Sequence, residues 1–192
     1  HYLEHKMFDM PRGEVSAEFA ALGANPNAFT SYDMTAYYFS CTEHFDSCLR
    51  LLLEFVSTPY FTEESVAKEQ GIIGQEIDMN EDNPDTRIFE QLTEIMYKKH
   101  PIRVPILGTS ESIRRITPET LHACHRAFYT PGNMILCVVG DVDPEEVVAR
   151  CIAMKRDLVE ADEFDTGARQ LLNLGHTIGH GIEACSDYVI SH

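Results

Sequence analysis

The sequence is short of positive charge. Fifteen Lys and Arg residues stand against 31 Asp and Glu, a formal net charge of -16. Such a surface repels phosphate backbones and excludes nucleic acid as a partner. No apolar run approaches the roughly 20 residues a bilayer span needs, so no membrane partner is expected. No C-x-x-C pair occurs among the six cysteines, Cys41, Cys48, Cys124, Cys137, Cys151 and Cys185. Their scatter fits reduced thiols in a cytoplasmic protein rather than a disulfide framework. No signal peptide, internal repeat or low-complexity segment is visible. Hydrophobic residues make up 44% of the 192, enough for a real core.

What is present begins at the first residue. In His1-Tyr2-Leu3-Glu4-His5, read as a helix, His1 and His5 lie four apart on one face. That separation lets two imidazoles share one metal ion, with Glu4 placed to take a proton from a water the ion polarises. This is the H-x-x-E-H arrangement of inverted zincins. Position 1 has no element before it to set its angle, so the N-terminus reads as truncated.

Hydrophobic periodicity and breakers divide the chain. Residues 1–10 read as helix, broken by Pro11-Arg12-Gly13, and residues 14–22 as a second helix ended by Gly23. Asn27 to Ser31 and Thr35 to Ser40 are rich in β-formers around a turn at Tyr32-Asp33, a hairpin. Thr42 is placed to cap a helix with the apolar stripe Phe45, Cys48, Leu49, Leu52 and Phe55, ended by Pro59. Thr62 caps the next helix, to about Asp82, with Glu63 and Glu64 in its first turn. Pro84 starts another, to about Lys99, and residues 100–110 read as loop. Thr117 with Pro118 opens a helix ending near Tyr129. Residues 134–139, Met-Ile-Leu-Cys-Val-Val, read as a strand buried on both faces. Asp143 caps a further helix, with Glu146 positioned for a capping box. The fold class is α/β (α+β), helices on a mixed, largely antiparallel sheet, followed by a helical tail.

A catalytic zinc usually takes three protein ligands and keeps one position open. The helix at 62–82 offers the third. Glu69 and Glu76 share one face with the core stripe Val66, Ile73 and Ile77. A carboxylate in a core stripe is costly unless paired or bound to metal. Glu76 as ligand and Glu69 as an orienting carboxylate would explain both. Taken alone, H-x-x-E-H on a surface helix also arises by chance, and two glutamates seven apart also mark a solvated face. His122-x-x-His125 lacks a partner cluster and reads as an ordinary helix face.

Four stretches carry a resemblance: His1 to Phe8, Asn27 to Ser31, Glu69 to Glu76, and Gly140-Asp141-Val142. Over about residues 1–147 the chain resembles the insulinase/pitrilysin family of zinc metallopeptidases, most of all bacterial members of processing-peptidase type. The resemblance implies Zn2+ on His1, His5 and Glu76, with Glu4 as general base and Glu69 as supporting carboxylate. It implies a strand at Asn27-Ala28 that pairs with the backbone of an extended peptide substrate. It also implies strands before His1 and a second, similar half, so a partner half or a homo-oligomer is expected.

The last 45 or so residues read differently. Residues 148–160 are helical, Asp162 to Gly167 form an acidic connector, and Leu171 to Cys185 form another helix. By spacing, His176 and His180 could share a metal or could simply flank a packed, glycine-bordered helix. Asn173 to Glu183 resembles 3-dehydroquinate synthase, an NAD- and zinc-dependent enzyme. That resemblance implies zinc on His176 and His192, and substrate contacts from Lys155, Arg169, Asn173 and His180. It covers about 149–192, and NAD would apply only to a complete synthase. Two partial families therefore meet near residues 146–150, an apparent chimera joined within one helix.

Overall fold

The first helix is shorter than its sequence pattern suggests. In a computed structural model of the chain, which describes residues 1–161, helix α1 is Tyr2–Met7 rather than 1–10. Strand β1, Asp9–Met10, turns at Pro11-Arg12 and pairs antiparallel with β2, Gly13–Glu14. Gly13 sits at φ +121°, which side-chain-bearing residues rarely adopt. The turn therefore takes the chain out of the helix before Pro11. Helix α2, Ser16–Ala21, ends in a Schellman motif: Gly23 N–H donates to Ala20 O (3.0 Å) and Ala24 N–H to Phe19 O (2.9 Å).

The hairpin forms as its β-formers suggest. β3, Asn25–Thr30, pairs antiparallel with β4, Thr35–Ser40, in the register Asn27 to Tyr38 and Ala28 to Tyr37. Helix α3, Phe45–Ser57, follows. Its N-cap is His44, at φ 58°, not Thr42, and no side chain caps it. Cys48, Leu49, Leu51, Leu52, Phe55 and Val56 are its buried residues. Phe55 gathers the core, with ring centroids 5.3 Å from Phe8, 5.6 Å from Tyr37 and 6.1 Å from Phe19. Phe55→Ala is expected to cost about 3–5 kcal/mol, read as a lowered denaturant midpoint at unchanged slope.

Helix α4, Glu63–Glu81, is started by a capping box: Ser65 N–H donates to Thr62 Oγ1 (3.1 Å) and Thr62 N–H to Ser65 Oγ (3.3 Å). Val66, Ile73 and Ile77 are all buried, as the stripe predicts. Helix α5, Pro84–Met96, is capped by Asn83, whose Oδ1 accepts from Asp85 and Thr86 N–H. It stops short of Lys99; His100, which precedes Pro101, is extended, the conformation proline imposes on its predecessor. The 100–110 stretch is not all loop. It holds a 3-10 turn, Pro101–Arg103, and the start of a short helix α6, Ser110–Ile113, with its own Thr109–Ser112 capping box. Helix α7 is Pro118–Phe128.

The chain forms two units, His1–Cys124 and His125–His192, their boundary falling within α7. In the second, residues 134–139 are not the buried strand predicted. They pair with no described strand, and Ile135 and Val139 are each 91% exposed. A continuous apolar run becomes a central strand only where neighbours satisfy its backbone on both sides. Helix α8, Pro144–Ala161, is continuous through residues 146–150. Asp143 Oδ1 caps it by accepting from Glu145 and Glu146 N–H. The Glu146 side chain pairs with Arg150 instead of returning to close a capping box. All described strand pairing is antiparallel, and helices dominate, in keeping with the α/β (α+β) class. No described helix is long and apolar enough to cross a membrane.

Candidate metal centre

The site is assembled by docking α1 on α4. Tyr2 Oη donates to the Val66 carbonyl of α4 at 2.6 Å. Burial, then the Glu69 charge, pushes this phenol up to about 12, so it stays a donor at neutral pH. The contact fixes the roll of α1. His5 N–H donates to His1 O (3.1 Å), so the two histidines project from one helical face, ring centroids 4.5 Å apart.

That face meets Glu76. His1 Nε2 lies 3.6 Å from Glu76 Oε1, and His5 Nε2 lies 3.7 Å from Glu76 Oε2. One ligand atom from each of the three lies within 4.8 Å of the others, a group that could hold a metal ion. Ligand atoms at about 2.0–2.1 Å from a tetrahedral zinc are about 3.4 Å apart, within a few tenths of an ångström of the two His–Glu76 distances, which run to different oxygens of the carboxylate. The remaining ring nitrogens bear on the fit. His5 Nδ1 faces Glu69 Oε1 at 3.0 Å, which leaves Nε2 as the lone-pair nitrogen toward Glu76. His1 Nδ1 is buried with no hydrogen-bond partner.

Electrostatics follow the geometry. The hydrogen bond to Glu69 raises the His5 pKa against the opposing effect of burial, helped by the charges of Glu69, Glu76 and Glu4. Burial pushes the Glu69 carboxyl up, but the His5 hydrogen bond and the Lys6 charge outweigh it and hold the group below its usual range. A proton and a metal ion compete for His5 Nε2, so metal affinity should fall as pH drops through this raised pKa. In Glu69→Gln the fall should begin at lower pH, while affinity at pH 8 drops by about 10- to 100-fold. Zinc competition titrations between pH 5.5 and 8 read both effects.

Glu4 is buried beside this face, and Thr30 Oγ1 of β3 donates to its Oε2. The Thr30 hydroxyl also contacts Thr35 Oγ1 at 3.1 Å, which lets it accept one hydrogen bond while donating the other. Asn27 and Ala28 lie on the same strand. Ser31 N–H donates to Met34 O, so odd-numbered residues of β3 exchange backbone bonds with β4, and Pro26, Ala28 and Thr30 face the opposite edge. Pro26, with no N–H, sits in the register where none is needed. No described strand pairs with that edge. The outward Ala28 N–H is held by Asn27 Oδ1 at 2.8 Å.

Three residues of this neighbourhood escape the sequence reading: Tyr2, Lys6 and Thr30. Lys6 is 1% exposed. Its spacing of four from the large, apolar-bodied Tyr2 is the signal that could have placed it on the buried face. His122 packs on Phe61 and His125 stacks on Tyr129, each at 4.8 Å, and neither joins a metal-capable group among the described residues. Of the tail candidates, Lys155 lies in α8. Arg169, Asn173, His176, His180, His192 and the predicted helix from Leu171 to Cys185 lie outside the described residues.

Comparison with known proteins follows the same division. Residues 1–110 match the family Insulinase (Peptidase family M16), and residues 115–150 match the Peptidase M16 inactive domain. Residues 134–192 match 3-dehydroquinate synthase C-terminal, so the two likenesses overlap over 134–150. The uncharacterized zinc protease YmfH of Bacillus subtilis is 51% identical over 150 residues, covering 78% of this chain and 35% of that relative. An M16-like peptidase from Alicyclobacillus acidocaldarius superposes with a TM-score of 0.74 at 47% identity, over 78% of this chain and 36% of that one. The first half of the periplasmic protease PqqL from Escherichia coli shares the fold, with a TM-score of 0.70 at 22% identity, covering 93% of this chain and 36% of that one. The chain thus spans about a third of the length of the relatives it matches. With the family match running through both the H-x-x-E-H helix and the helix that brings Glu76 to it, the chain belongs to the insulinase family, peptidase family M16.

Proposed function

We propose that this chain is the metal-carrying lobe of a zinc endopeptidase that cleaves extended peptides. The observation that carries the reading is the convergence of both histidine Nε2 atoms on Glu76, with His5 Nδ1 engaged by Glu69. His1, His5 and Glu76 would hold the ion. Zinc, when bound, polarises a scissile carbonyl and acidifies water. Glu4 takes the proton of the attacking water and returns it to the leaving amine nitrogen. Thr30 holds one oxygen of Glu4, limiting how the carboxylate turns. The edge of β3 that no described strand pairs with receives the substrate backbone at Ala28, once the Asn27 carboxamide releases that N–H. Backbone pairing reads chain shape more than sequence, so loose specificity follows.

A second, substrate-covering half belongs to the same reading, either a partner subunit or another copy of the chain. Relatives of which this chain covers 35% support it, as do the exposed side chains Ile88, Leu92, Ile95 and Met96 of α5. Cytoplasmic residence is proposed from the scatter of the cysteines, of which Cys41, Cys48, Cys124 and Cys137 are free thiols.

The match of residues 134–192 favours a second reading, in which the tail is a fragment of 3-dehydroquinate synthase fused to the peptidase lobe. A third is a scaffold lobe without catalysis. Zinc content separates them. One zinc per chain, lost in His5→Ala, supports the peptidase site. Zinc lost only in His176→Ala transfers the metal to the tail. No zinc in the parent chain leaves the scaffold.

A further inference from the structure

Lys6 is among the largest fully buried side chains of the described residues. Burying an ammonium costs several kcal/mol unless charges and hydrogen bonds compensate. Its surroundings supply that compensation. Nζ forms an ion pair with Asp9, donates to the Ser65 carbonyl at 3.3 Å, and lies 3.8 Å from Glu69 Oε2. The other oxygen of that same carboxylate, Oε1, is the one that faces His5 Nδ1.

Glu69 therefore has a partner at each oxygen, a hydrogen-bonded imidazole at Oε1 and, at ion-pair distance, the Lys6 ammonium at Oε2. A carboxylate with a single partner can rotate about its last torsion, a broad and weakly restrained one. A second partner of fixed position removes that freedom. Lys6 has a fixed position, because Asp9 in β1 and Ser65 in the first turn of α4 grip its ammonium from two elements. Asp9 is three residues along the same chain segment, and Ser65 lies one turn before Glu69 on α4. The lysine thus ties the end of α1 to the α4 turn that precedes Glu69.

We propose that Lys6 is a positioning residue for the metal centre: it orients Glu69, and through Glu69 it sets the His5 imidazole so that Nε2 faces His1 and Glu76. Lys6 is not one of the three residues of the metal-capable group, and its ammonium contacts Asp9, Ser65 and Glu69. The proposal rests on the zinc reading above and extends it by one residue.

The test measures zinc affinity and the visible spectrum of the cobalt-substituted full chain for Lys6→Met, Glu69→Gln and the double variant, with melting curves on each. Zinc affinity in Lys6→Met should fall by about 10- to 100-fold, the size of effect seen when a partner behind a metal ligand is lost. The cobalt bands should shift, and the double variant should be no weaker than Glu69→Gln alone, because both act through one carboxylate. Lys6→Arg should recover part of the affinity. An unchanged affinity and cobalt spectrum in folded Lys6→Met would overturn the proposal, as would strictly additive losses in the double variant. Should Lys6→Met not fold, Lys6→Gln, which keeps a donor for Ser65 O, takes its place with the same two outcomes. Failure of the zinc reading itself is separate and visible, since the parent chain would then bind neither zinc nor cobalt.

Discussion

Glu4→Gln is expected to keep one zinc per chain and to slow hydrolysis of an unstructured fluorogenic peptide by about 10²- to 10⁴-fold, the usual worth of a positioned general base. Glutamine has nearly the shape of glutamate and can still accept from Thr30, so the α1–β3 contact survives. It cannot take a proton from water. The assay is a single turnover with the chain in excess, so that slow release of product does not mask the chemical step. Full activity in a zinc-loaded Glu4→Gln would remove Glu4 from its assigned role and send the search for the base elsewhere. Loss of zinc in the same variant would say that Glu4 acts on the metal site rather than on the water.

Glu76→Ala should show the second large effect. It removes the carboxylate that faces Nε2 of both His1 and His5, at 3.6 and 3.7 Å. Two imidazoles on one helical turn then remain, and zinc affinity should fall by more than about 100-fold, beyond what the loss of an outer partner costs. Because Glu76 is part-exposed and its face neighbours Ile73 and Ile77 carry the packing, the melting temperature without metal should change little. The difference between the melting curves with and without zinc therefore reports the site: large in the parent chain, near zero in Glu76→Ala. An equal zinc-dependent shift in both proteins would exclude Glu76 as a ligand.

Much of this was legible in the chain. Helix starts were read best, because their signals are local: Thr62 and Asp143 satisfy N–H groups two or three residues away, and Pro84 opens α5. The β3–β4 hairpin was equally local. Misreadings arose where a distant partner decides the outcome. The run at 134–139 has the composition of a central strand, but composition cannot supply the neighbours that make one. Thr42 is a good cap in type, yet the chain enters α3 through His44 in a left-handed conformation. The end of α1 was misplaced because Gly13, at positive φ, allows a hairpin directly after a short helix.

The candidate site divides along the same line. Sequence alone set which residues share a face: His1 with His5, and Glu69 with Glu76 among Val66, Ile73 and Ile77. Helical periodicity determines that much, since it is a property of each segment by itself. Which oxygen faces which nitrogen was decided only by the packing of α1 against α4, through Tyr2 on Val66 and the burial of Lys6. Sequence spacing carries no information about the roll of one helix against another sixty residues away. That roll brings a pair of histidines and Glu76 into a group that could hold a metal ion, with Glu69 against the His5 ring behind it.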